Sequence, residues 1–456
     1  MRGAALQSAR RLAVVLLLPL ASCASYQARP IDPATTAKAL DRRSLSDPRL
    51  LRFIAIERHR AQPPRWDLDT LTLVATYERP DMPLATAKLG VANAGEITAA
   101  ELPNPRLAIA PTYNATTTTP SPWKVGPVIT FLIQSFGARP ARIAQAKAQA
   151  EAARQALAVT AWQLRGQVRA ALIALWSARR AAALSGQRLA YAQQYRIAVA
   201  QRYRAGMVSA AALTAATLAE NRAALQVAAS ERTLRLARTK LAAALGLPPG
   251  ALHGIKLDMA GLSHPRHPGD LEPLIHAALT SRPDVLAALA RYAAAEAGLR
   301  LAVAQQYPSI DIGPGYHYDQ GDNKYILAVS LPLPILNQNQ GPIAVARAKR
   351  RVAAEQFLAT QSGVLAEIDH AQTNWRASDV ELGQARNVRT AAAHALARQR
   401  SAFAAGQIGR LRLLGAKLAY VQAEQGALAA SVHERVALGE LEAALYHPFL
   451  VASRSQ

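Results

Sequence analysis

Alternating apolar and polar positions mark two short segments of the chain, at residues 105–134 and 309–334. In the first, Leu107, Ile109 and Tyr113 share one face of a predicted strand, and a second strand follows a turn rich in threonine and proline. A period of two, with turn residues between the runs, is typical of a β-hairpin. The later segment has the same pattern around a shorter turn that contains glycine. The sequence therefore predicts two β-hairpins in separate parts of the chain.

A second pattern, with apolar residues at alternating spacings of three and four, follows each hairpin. It predicts long coiled-coil helices over residues 137–245 and 340–446, each interrupted once, near Gly206 and Gly406. At 1.5 Å per residue, a helix over residues 140–203 spans about 96 Å. The first seam consists of Leu157, Ala161, Leu164, Val168, Ala171, Leu175, Ala178 and Ala182. The second consists of Phe357, Val364, Ile368, Ala371, Trp375 and Leu382, with Gln361 and Ser378 as polar interruptions.

The two halves of the chain repeat these elements in the same order. Arg79-Pro80-Asp81 begins one copy and Arg282-Pro283-Asp284 the other, and each is followed by an alanine-rich helix, a hairpin and the long helices. We therefore predict a duplication, with repeats at residues 66–250 and 270–450 and a linker at 251–269. Each unit is far longer than a solenoid repeat, so the pattern indicates two copies of one large unit.

The first 22 residues have the pattern of a secretory signal. Arginines precede a short apolar stretch that is too short to span a bilayer. The following Leu20-Ala21-Ser22-Cys23 resembles a bacterial lipobox, which makes Cys23, the single cysteine of the chain, a predicted lipidation site. Ala24 follows it, which by resemblance to Gram-negative lipoproteins favours export to the outer membrane. The alternative is an ordinary signal peptide with an incidental cysteine.

The region between the signal and the first hairpin is predicted to be mostly helical. Residues 23–65 are interpreted as a lipidated tether with a short helix near residues 35–61. Residues 66–102 are predicted to be helical, with interruptions near Pro80 and Pro83. At the other end of the chain, residues 451–456 form a predicted tail.

Composition narrows the possible classes of function. Hydrophobic residues make up 51% of the 456 residues but aromatic residues only 5%, which suits closely packed, alanine-rich helices. The net charge is +23, but the basic residues are scattered along the helices rather than clustered. Because an exported chain also rarely meets nucleic acid, we predict no nucleic-acid binding. The sequence beyond the signal lacks a run of about 18 apolar residues, so no transmembrane helix is predicted.

The two hairpins supply four strands per chain and therefore two open sheet edges. Strands in a membrane must close into a barrel, and four are too few. Three copies would supply twelve, so we predict a mainly α protein that contributes four strands to a shared twelve-stranded β-barrel. Candidates for an interfacial aromatic belt are Tyr113, Trp123, Phe131, Tyr316, Tyr318 and Tyr325. The alternative is a soluble sheet packed on the helices, with these aromatics in its core.

The doubled order of these motifs over residues 35–450 resembles the TolC family of outer-membrane efflux proteins, and the lipobox is similar to that of the family's lipoprotein branch. The resemblance implies a homotrimer in outer-membrane lipid, with a helical tunnel across the periplasm. It also implies two protein partners: a periplasmic adaptor, and an inner-membrane pump of the resistance-nodulation-division or ABC type. Segments near Tyr26 and Trp66 are most similar to members of heavy-metal efflux systems.

The same resemblance assigns a role to the two interruptions of the long helices. In the family, such helix–turn–helix tips contact the adaptor and form the gate. The corresponding residues here are Tyr203, Arg204, Gly206, Met207, Val208, Phe403, Gly406, Gln407 and Ile408. The alternative is that each glycine only forms a turn.

No catalytic constellation, cofactor motif or cysteine-based metal site is found in the sequence, so we predict no enzymatic activity, no cofactor and no metal site. His264 and His267 lie in the linker, and two imidazoles without a third ligand make a weak metal site. Two other functions remain open. A periplasmic adaptor also has coiled-coil hairpins, but usually one rather than two. A structural coiled-coil lipoprotein would have no need of alternating strands with aromatic ends.

Overall fold

The computed structural model describes residues 25–59, 64–116, 121–263 and 268–449. The predicted signal peptide, Cys23, His264, His267 and the tail lie outside the described residues. The chain divides into two compact units, of which the smaller ends at Arg43. Its described part consists of an extended segment and helix α1 (Pro33–Asp41), whose first turn is capped by the Asp32 carboxylate.

The larger unit begins with three helices, α2 (Pro48–Arg58), α3 (Leu68–Glu78) and α4 (Asp81–Ala100). The prediction of one helix near residues 35–61 is wrong, because α1 ends at Asp41 and α2 starts anew at Pro48, where the Asp47 carboxylate accepts a hydrogen bond from Arg49 N at 2.7 Å. The predicted break near Pro80 is present. Pro83 causes none, since it lies in the first turn of α4, where a backbone N–H is not needed.

Four long helices form two antiparallel pairs. Helices α5 (Ala138–Arg204) and α6 (Ala210–Leu245) belong to the first repeat. Helices α10 (Gln340–Ala404) and α11 (Arg410–Leu445) belong to the second. Contacts run α6–α5–α11–α10, so α5 and α11 join the two pairs. With 67 residues, α5 is about 100 Å long. The predicted seam residues Leu164, Val168 and Leu175 are buried, as are Ile368 and Ala371 in α10.

The remaining helices connect the two repeats. A 3₁₀ turn (Pro249–Leu252) and the short helices α7 (Ala260–Ser263) and α8 (Glu272–Ser281) form the linker, which precedes α9 (Pro283–Ala304). Leu257 pairs with Trp66 in an isolated parallel bridge, and Asp258 N donates to Trp66 O at 3.0 Å. The linker thus packs beside the start of the first repeat.

The strands form one antiparallel sheet rather than two separate hairpins. The first repeat contributes β1 (Arg106–Ile109), β2 (Thr112–Tyr113), β3 (Trp123–Val125) and β4 (Pro127–Ile133); the second contributes β5 (Ile310–Asp319) and β6 (Asp322–Ser330). Strands β1 and β2 pair with β4 and β3, these pair with β5, and β5 pairs with β6. Strands β1 and β2 form one interrupted run, and β3 and β4 form another. The two runs pair in a single register, so the sheet is effectively four strands wide.

The main core lies where the two repeats meet, away from the sheet. It joins α2, α3, α5, α6 and α11 through leucines of 0–1% exposure, and α8 and α10 add Ala278 and Ile368. The leucines include Leu50, Leu71, Leu172, Leu241, Leu438 and Leu441. None of the described helices is long and apolar enough to cross a membrane.

Candidate functional site: the sheet faces and the helix–helix turns

The register places all six predicted belt aromatics on one face of the sheet. Residues that lie directly opposite on neighbouring strands share a face, as do residues two apart on one strand. Tyr113 is opposite Trp123, and Tyr316 is opposite Tyr325. Val125 links the two pairs, because it is two residues from Trp123 and opposite Tyr318. Phe131 joins the set through its partner Ile312.

The same face carries almost only apolar side chains. Besides the aromatics it includes Leu107, Ile109, Val125, Ile129, Ile133, Ile310, Ile312, Leu327 and Val329. The opposite face is mostly polar or small, with Val128, Leu132 and Ile326 as its large apolar residues. Its polar and small residues include Arg106, Thr112, Lys124, Thr130, Asp311, Gly313, Gly315, His317, Asp319, Lys324 and Ser330. The sheet is therefore amphipathic across its whole width.

The apolar face is exposed in the single chain. Tyr325 is 86% exposed, Leu327 67% and Leu107 63%. The interpretation of these aromatics as the core of a soluble sheet is therefore wrong, because no helix of the described chain covers this face. An exposed apolar surface of this width needs a partner or a lipid environment.

One glycine permits the two repeats to share the sheet. A Cβ atom at Gly126 would lie 1.7 Å from the carbonyl oxygen of Tyr316 on β5. Any other residue there would hold the β3–β4 run away from β5. The two outer edges, β1 with β2 on one side and β6 on the other, have no further strand beside them among the described residues.

The two turns between the long helices have the same geometry. Gly206 and Gly406 adopt φ of +71° and +72°, the left-handed region that glycine enters at little cost. Gly206 N donates to Tyr203 O at 2.9 Å, and Met207 N donates to Arg202 O at 2.9 Å. The equivalent hydrogen bonds of Gly406 and Gln407 are 3.0 and 2.8 Å long. Both turns are thus Schellman motifs, which end a helix by pairing its last carbonyls.

The predicted tip residues lie at these turns, with several apolar side chains exposed. Met207 is 67% exposed, Tyr203 42% and Phe403 41%. Arg204, Gly206, Gly406 and Gln407 are exposed, and Val208 and Ile408 are half-buried. The two turns lie side by side, because a Cβ at Gly409 would be 3.2 Å from the Arg202 guanidinium. The structure therefore brings both predicted tips to the same end of the helices.

The Arg-Pro-Asp motifs, which mark the repeats in the sequence, fasten each repeat internally. Arg79 Nε contacts Asp81 Oδ2 at 2.8 Å, and Arg79 Nη1 donates to Gln167 Oε1 at 2.7 Å. Two hundred positions after Gln167, Glu367 pairs with Arg282 Nη2 at 3.0 Å. The arginine of each motif thus ties the start of its repeat to the long helix that follows.

A buried charge cluster lies at the core between the repeats. The fully buried Glu442 carboxylate contacts Arg165 Nε at 3.1 Å and Arg169 Nη1 at 2.9 Å, and accepts from Phe449 N at 3.1 Å. Burial lowers the pKa of Arg165, but the carboxylates of Glu442 and Asp69 outweigh it and raise that pKa overall. For Arg169, burial prevails and its pKa is lowered. The cluster joins α3, α5 and α11.

Within the part of the chain that the structure describes, no group of three or more histidine, cysteine or acidic residues is placed to hold a metal ion. The histidine pair of the linker lies outside that part.

Comparison with known proteins shows which family has this architecture. The family model described as outer membrane efflux protein matches residues 74–247 and again residues 274–445, which together exceed half of the chain. The chain belongs to the outer membrane efflux protein family. The double match confirms the internal duplication.

Solved outer membrane efflux proteins share the fold at low identity. The outer membrane protein VceC from Vibrio cholerae is 18% identical, with a TM-score of 0.68 over 84% of this chain and 96% of VceC. The outer-membrane channel OprN is 18% identical, with a TM-score of 0.67 over 94% and 99% of the two chains. The MtrE outer membrane channel of Neisseria gonorrhoeae, solved in its open state, is 19% identical, with a TM-score of 0.66 over 83% and 89%. No curated protein matches the chain.

These findings confirm the resemblance to the TolC family and the mainly helical fold with a small sheet. The assignment to a heavy-metal group stays a prediction. Four strands with two open edges were predicted from the sequence, but not which strands pair between the repeats, nor that all six aromatics share one face. The alternation within each strand was visible in the sequence. The pairing of β4 with β5 was not, because it joins strands from different repeats. A group of arginines from three helices, described below, was likewise not predicted.

Proposed function

We propose that this outer membrane efflux protein is the passive outer-membrane duct of a tripartite efflux system and acts as a homotrimer. The observation that carries the proposal is the amphipathic sheet with two open edges, attached to helices about 100 Å long. An apolar outer face and a polar inner face are what a membrane barrel requires, and closure removes the edges.

The helices support the same assembly. The outer members of the row, α6 and α10, carry exposed apolar residues seven positions apart. On α6, Leu218 is 50% and Leu225 72% exposed; on α10, Val345 is 53% and Val352 55% exposed. Seven-residue spacing is the pattern of a coiled-coil seam. We infer that α6 of one copy packs against α10 of the next, which would close twelve helices into a tunnel.

The adjacent tips are proposed as the contact with a periplasmic adaptor and as the gate. Their exposed side chains, Tyr203, Met207 and Phe403, offer an apolar surface of the kind that a partner protein covers. An inner-membrane pump, of the resistance-nodulation-division or ABC type, would supply the energy. Lipidation of Cys23 would add a membrane anchor, and the aromatic face of the sheet would lie toward the lipid.

Disulfide crosslinking of the two sheet edges tests the closure. Ala108 on β1 and Ala328 on β6 both lie on the polar face and are separated by two strands, about 14 Å at the usual strand spacing. This exceeds the reach of a disulfide within one chain. Cysteine pairs at Ala108 and at Lys324, Ile326 or Ala328, in a background without Cys23, should give covalent dimers and trimers and nothing larger in at least one register.

The matched control replaces Ala108 and Val128, which are opposite each other within one chain, and should form an internal disulfide without a ladder. A complementary measurement is the protein mass of the detergent-extracted particle by light scattering, which should be that of three chains. A monomer that remains soluble without detergent once Cys23 is replaced would overturn the proposal and favour a periplasmic adaptor or a structural coiled-coil lipoprotein.

A further inference from the structure

An arginine-rich cavity of about 470 Å³ lies between α5, α10 and α11, beside the end of α7. Its basic residues are Arg180 from α5, Arg386 and Arg389 from α10, and Arg435 from α11. The volume falls within the range of small-molecule sites, about 300–1,000 Å³. The cavity is remote in sequence from both the sheet and the helix–helix turns.

The floor of the cavity is fixed by Arg435 and Trp176. The Arg435 side chain is 3% exposed, and each of its three nitrogens has a partner: Nη1 contacts Ser431 O at 2.8 Å and Glu434 Oε2 at 3.3 Å, Nη2 contacts Ser263 O at 3.1 Å, and Nε contacts Leu262 O. Its guanidinium lies 4.8 Å from the centroid of the Trp176 ring. Arg435 is thus a cation held by the protein itself, and it adds positive potential to the cavity.

The three other arginines are at the mouth and keep donors for a ligand. Among the described residues, neither Arg180 nor Arg386 has a carboxylate within the 4.0 Å limit of an ion pair. The Arg180 guanidinium carbon lies over the Trp176 ring, 5.5 Å from its centroid. Arg389 Nε is 3.9 Å from Glu424 Oε1, which accepts a 2.6 Å hydrogen bond from the Tyr420 hydroxyl. That carboxylate oxygen is therefore already engaged.

The charges of the cavity do not balance. Among the described residues that line the cavity, Glu424 supplies the one carboxylate beside four guanidiniums, and Glu434 lies against Arg435 behind the floor. Burial lowers the pKa of Arg435; Glu434 opposes this, and the positive charges of Arg386 and Arg180 lower the pKa further. Like charges that line one cavity repel each other, and a bound counter-ion relieves this repulsion. Guanidinium forks match phosphate and carboxylate oxygens in geometry and charge.

We propose that this cavity binds a small multivalent oxyanion of about the size of pyrophosphate or citrate, held by Arg180, Arg386 and Arg389. The anion would link α5 directly to α10, two helices that are otherwise joined through α9 and α11. The Ser431 side chain, which also lines the cavity, offers a further polar contact. This site is independent of the pore proposed above, since it needs only the fold of one chain.

Calorimetric titration of the full-length, detergent-extracted protein with pyrophosphate and with citrate tests the site, using sodium chloride at equal ionic strength as the reference. We expect saturable binding of at least one anion. Arg386→Gln removes a side chain without an ion pair in the described chain and should weaken binding about tenfold or more, the loss of one charged hydrogen bond. Arg180→Gln together with Arg386→Gln should abolish it.

The matched control is Arg376→Gln, an exposed arginine on α10 that does not line the cavity. It should bind within about twofold of the parent protein, since it changes the net charge equally. Thermal unfolding without anion verifies that each variant is folded, and the bound anion should raise the unfolding temperature of the parent but not of the double variant. Absence of saturable binding by both anions, or equal weakening by Arg376→Gln, would overturn the proposal.

Discussion

The guanidinium of Arg282 lies 4.8 Å from the ring centroid of Tyr446, the residue that ends α11 in a left-handed conformation at φ +50°. At the equivalent place in the first repeat, Arg79 packs against Gly246, whose φ is +74° and where a Cβ would be 2.9 Å from Arg79 Cγ. Each Arg-Pro-Asp motif thus fastens the end of the returning helix of its own repeat. In the second repeat the Tyr446 ring contacts the arginine, where in the first repeat the backbone of Gly246 does so.

This relationship predicts unequal effects of two equivalent substitutions. Arg282 is 6% exposed, donates to Ala444 O and pairs with Asp284 and Glu367. Arg282→Ala should therefore lower the free energy of unfolding by about 3 kcal/mol, because it leaves the buried Ala444 carbonyl without its donor and removes the cation from the Tyr446 ring. Arg79→Ala loses the exposed carboxylate of Asp81 and the neutral amide of Gln167 at a more exposed site, and should cost about 1 kcal/mol. Urea unfolding of the extracted protein measures both; equal losses would contradict the asymmetry.

The buried Glu442 carboxylate is expected to be more important for stability than its neighbour on the same helix. Glu442→Gln leaves the guanidiniums of Arg165 and Arg169 buried without their shared anion, and should lower the free energy of unfolding by about 3 kcal/mol or more. Glu440→Gln is the control, because Glu440 is exposed and accepts one hydrogen bond from Asn374. It should cost under about 1 kcal/mol. A similar loss in both variants would show that the cluster adds nothing specific.

Gly126 should be required for assembly of the sheet. Gly126→Ala places a methyl group within covalent distance of the Tyr316 carbonyl, so the two halves of the sheet cannot keep their present spacing. We expect loss of heat-resistant trimers on gel electrophoresis while the helical circular dichroism signal persists. Gly95→Ala in α4 meets no atom within 4 Å and should leave assembly unchanged. A Gly126→Ala variant that forms normal trimers would show that β5 tolerates a shifted partner.

The tips are tested by separating backbone conformation from surface shape. Gly206 and Gly406 have open space around the position of a Cβ, so a large side chain is excluded by no neighbour within the chain. Replacing both with tryptophan should abolish export of toxic compounds by cells that depend on this channel, because the bulk blocks contact with an adaptor. Replacing both with asparagine, which tolerates positive φ, should retain export. Normal export by the tryptophan variant would remove the tips from the mechanism.

Alkaline pH should reveal the environment of Tyr446. Burial, aided by the Asp284 carboxylate and opposed by Arg282, raises the pKa of Tyr446 to about 12. Since its folded-state pKa exceeds the ordinary value of about 10, the contribution to stability is complete below pH 10 and is lost as the pH rises toward 12. Tyr446→Phe keeps the ring stacked on Trp162, whose centroid is 5.1 Å away, and should remove this part of the alkaline loss. Identical pH profiles for the two proteins would contradict the assignment.

The sequence by itself determined the elements and their order. Period-two alternation in strands and spacings of three and four in helices are local properties of the sequence. They show, without tertiary information, that Leu107 and Ile109 share one face of a strand and that Leu164 and Val168 share one face of a helix. The paired Gly206 and Gly406, with the repeated Arg-Pro-Asp, were enough to show the duplication. Element ends were less certain: Asp47 and Pro48 start a new helix where one helix was predicted.

Only the tertiary structure decided which distant residues meet. The shared face of Tyr113, Tyr316 and Tyr325 depends on the pairing of β3 with β5, across more than 170 residues. The same holds for Glu442 between Arg165 and Arg169, and for the four arginines of the cavity, which come from three helices. Such contacts arise from register and packing between elements, and the pattern of each element alone does not contain them.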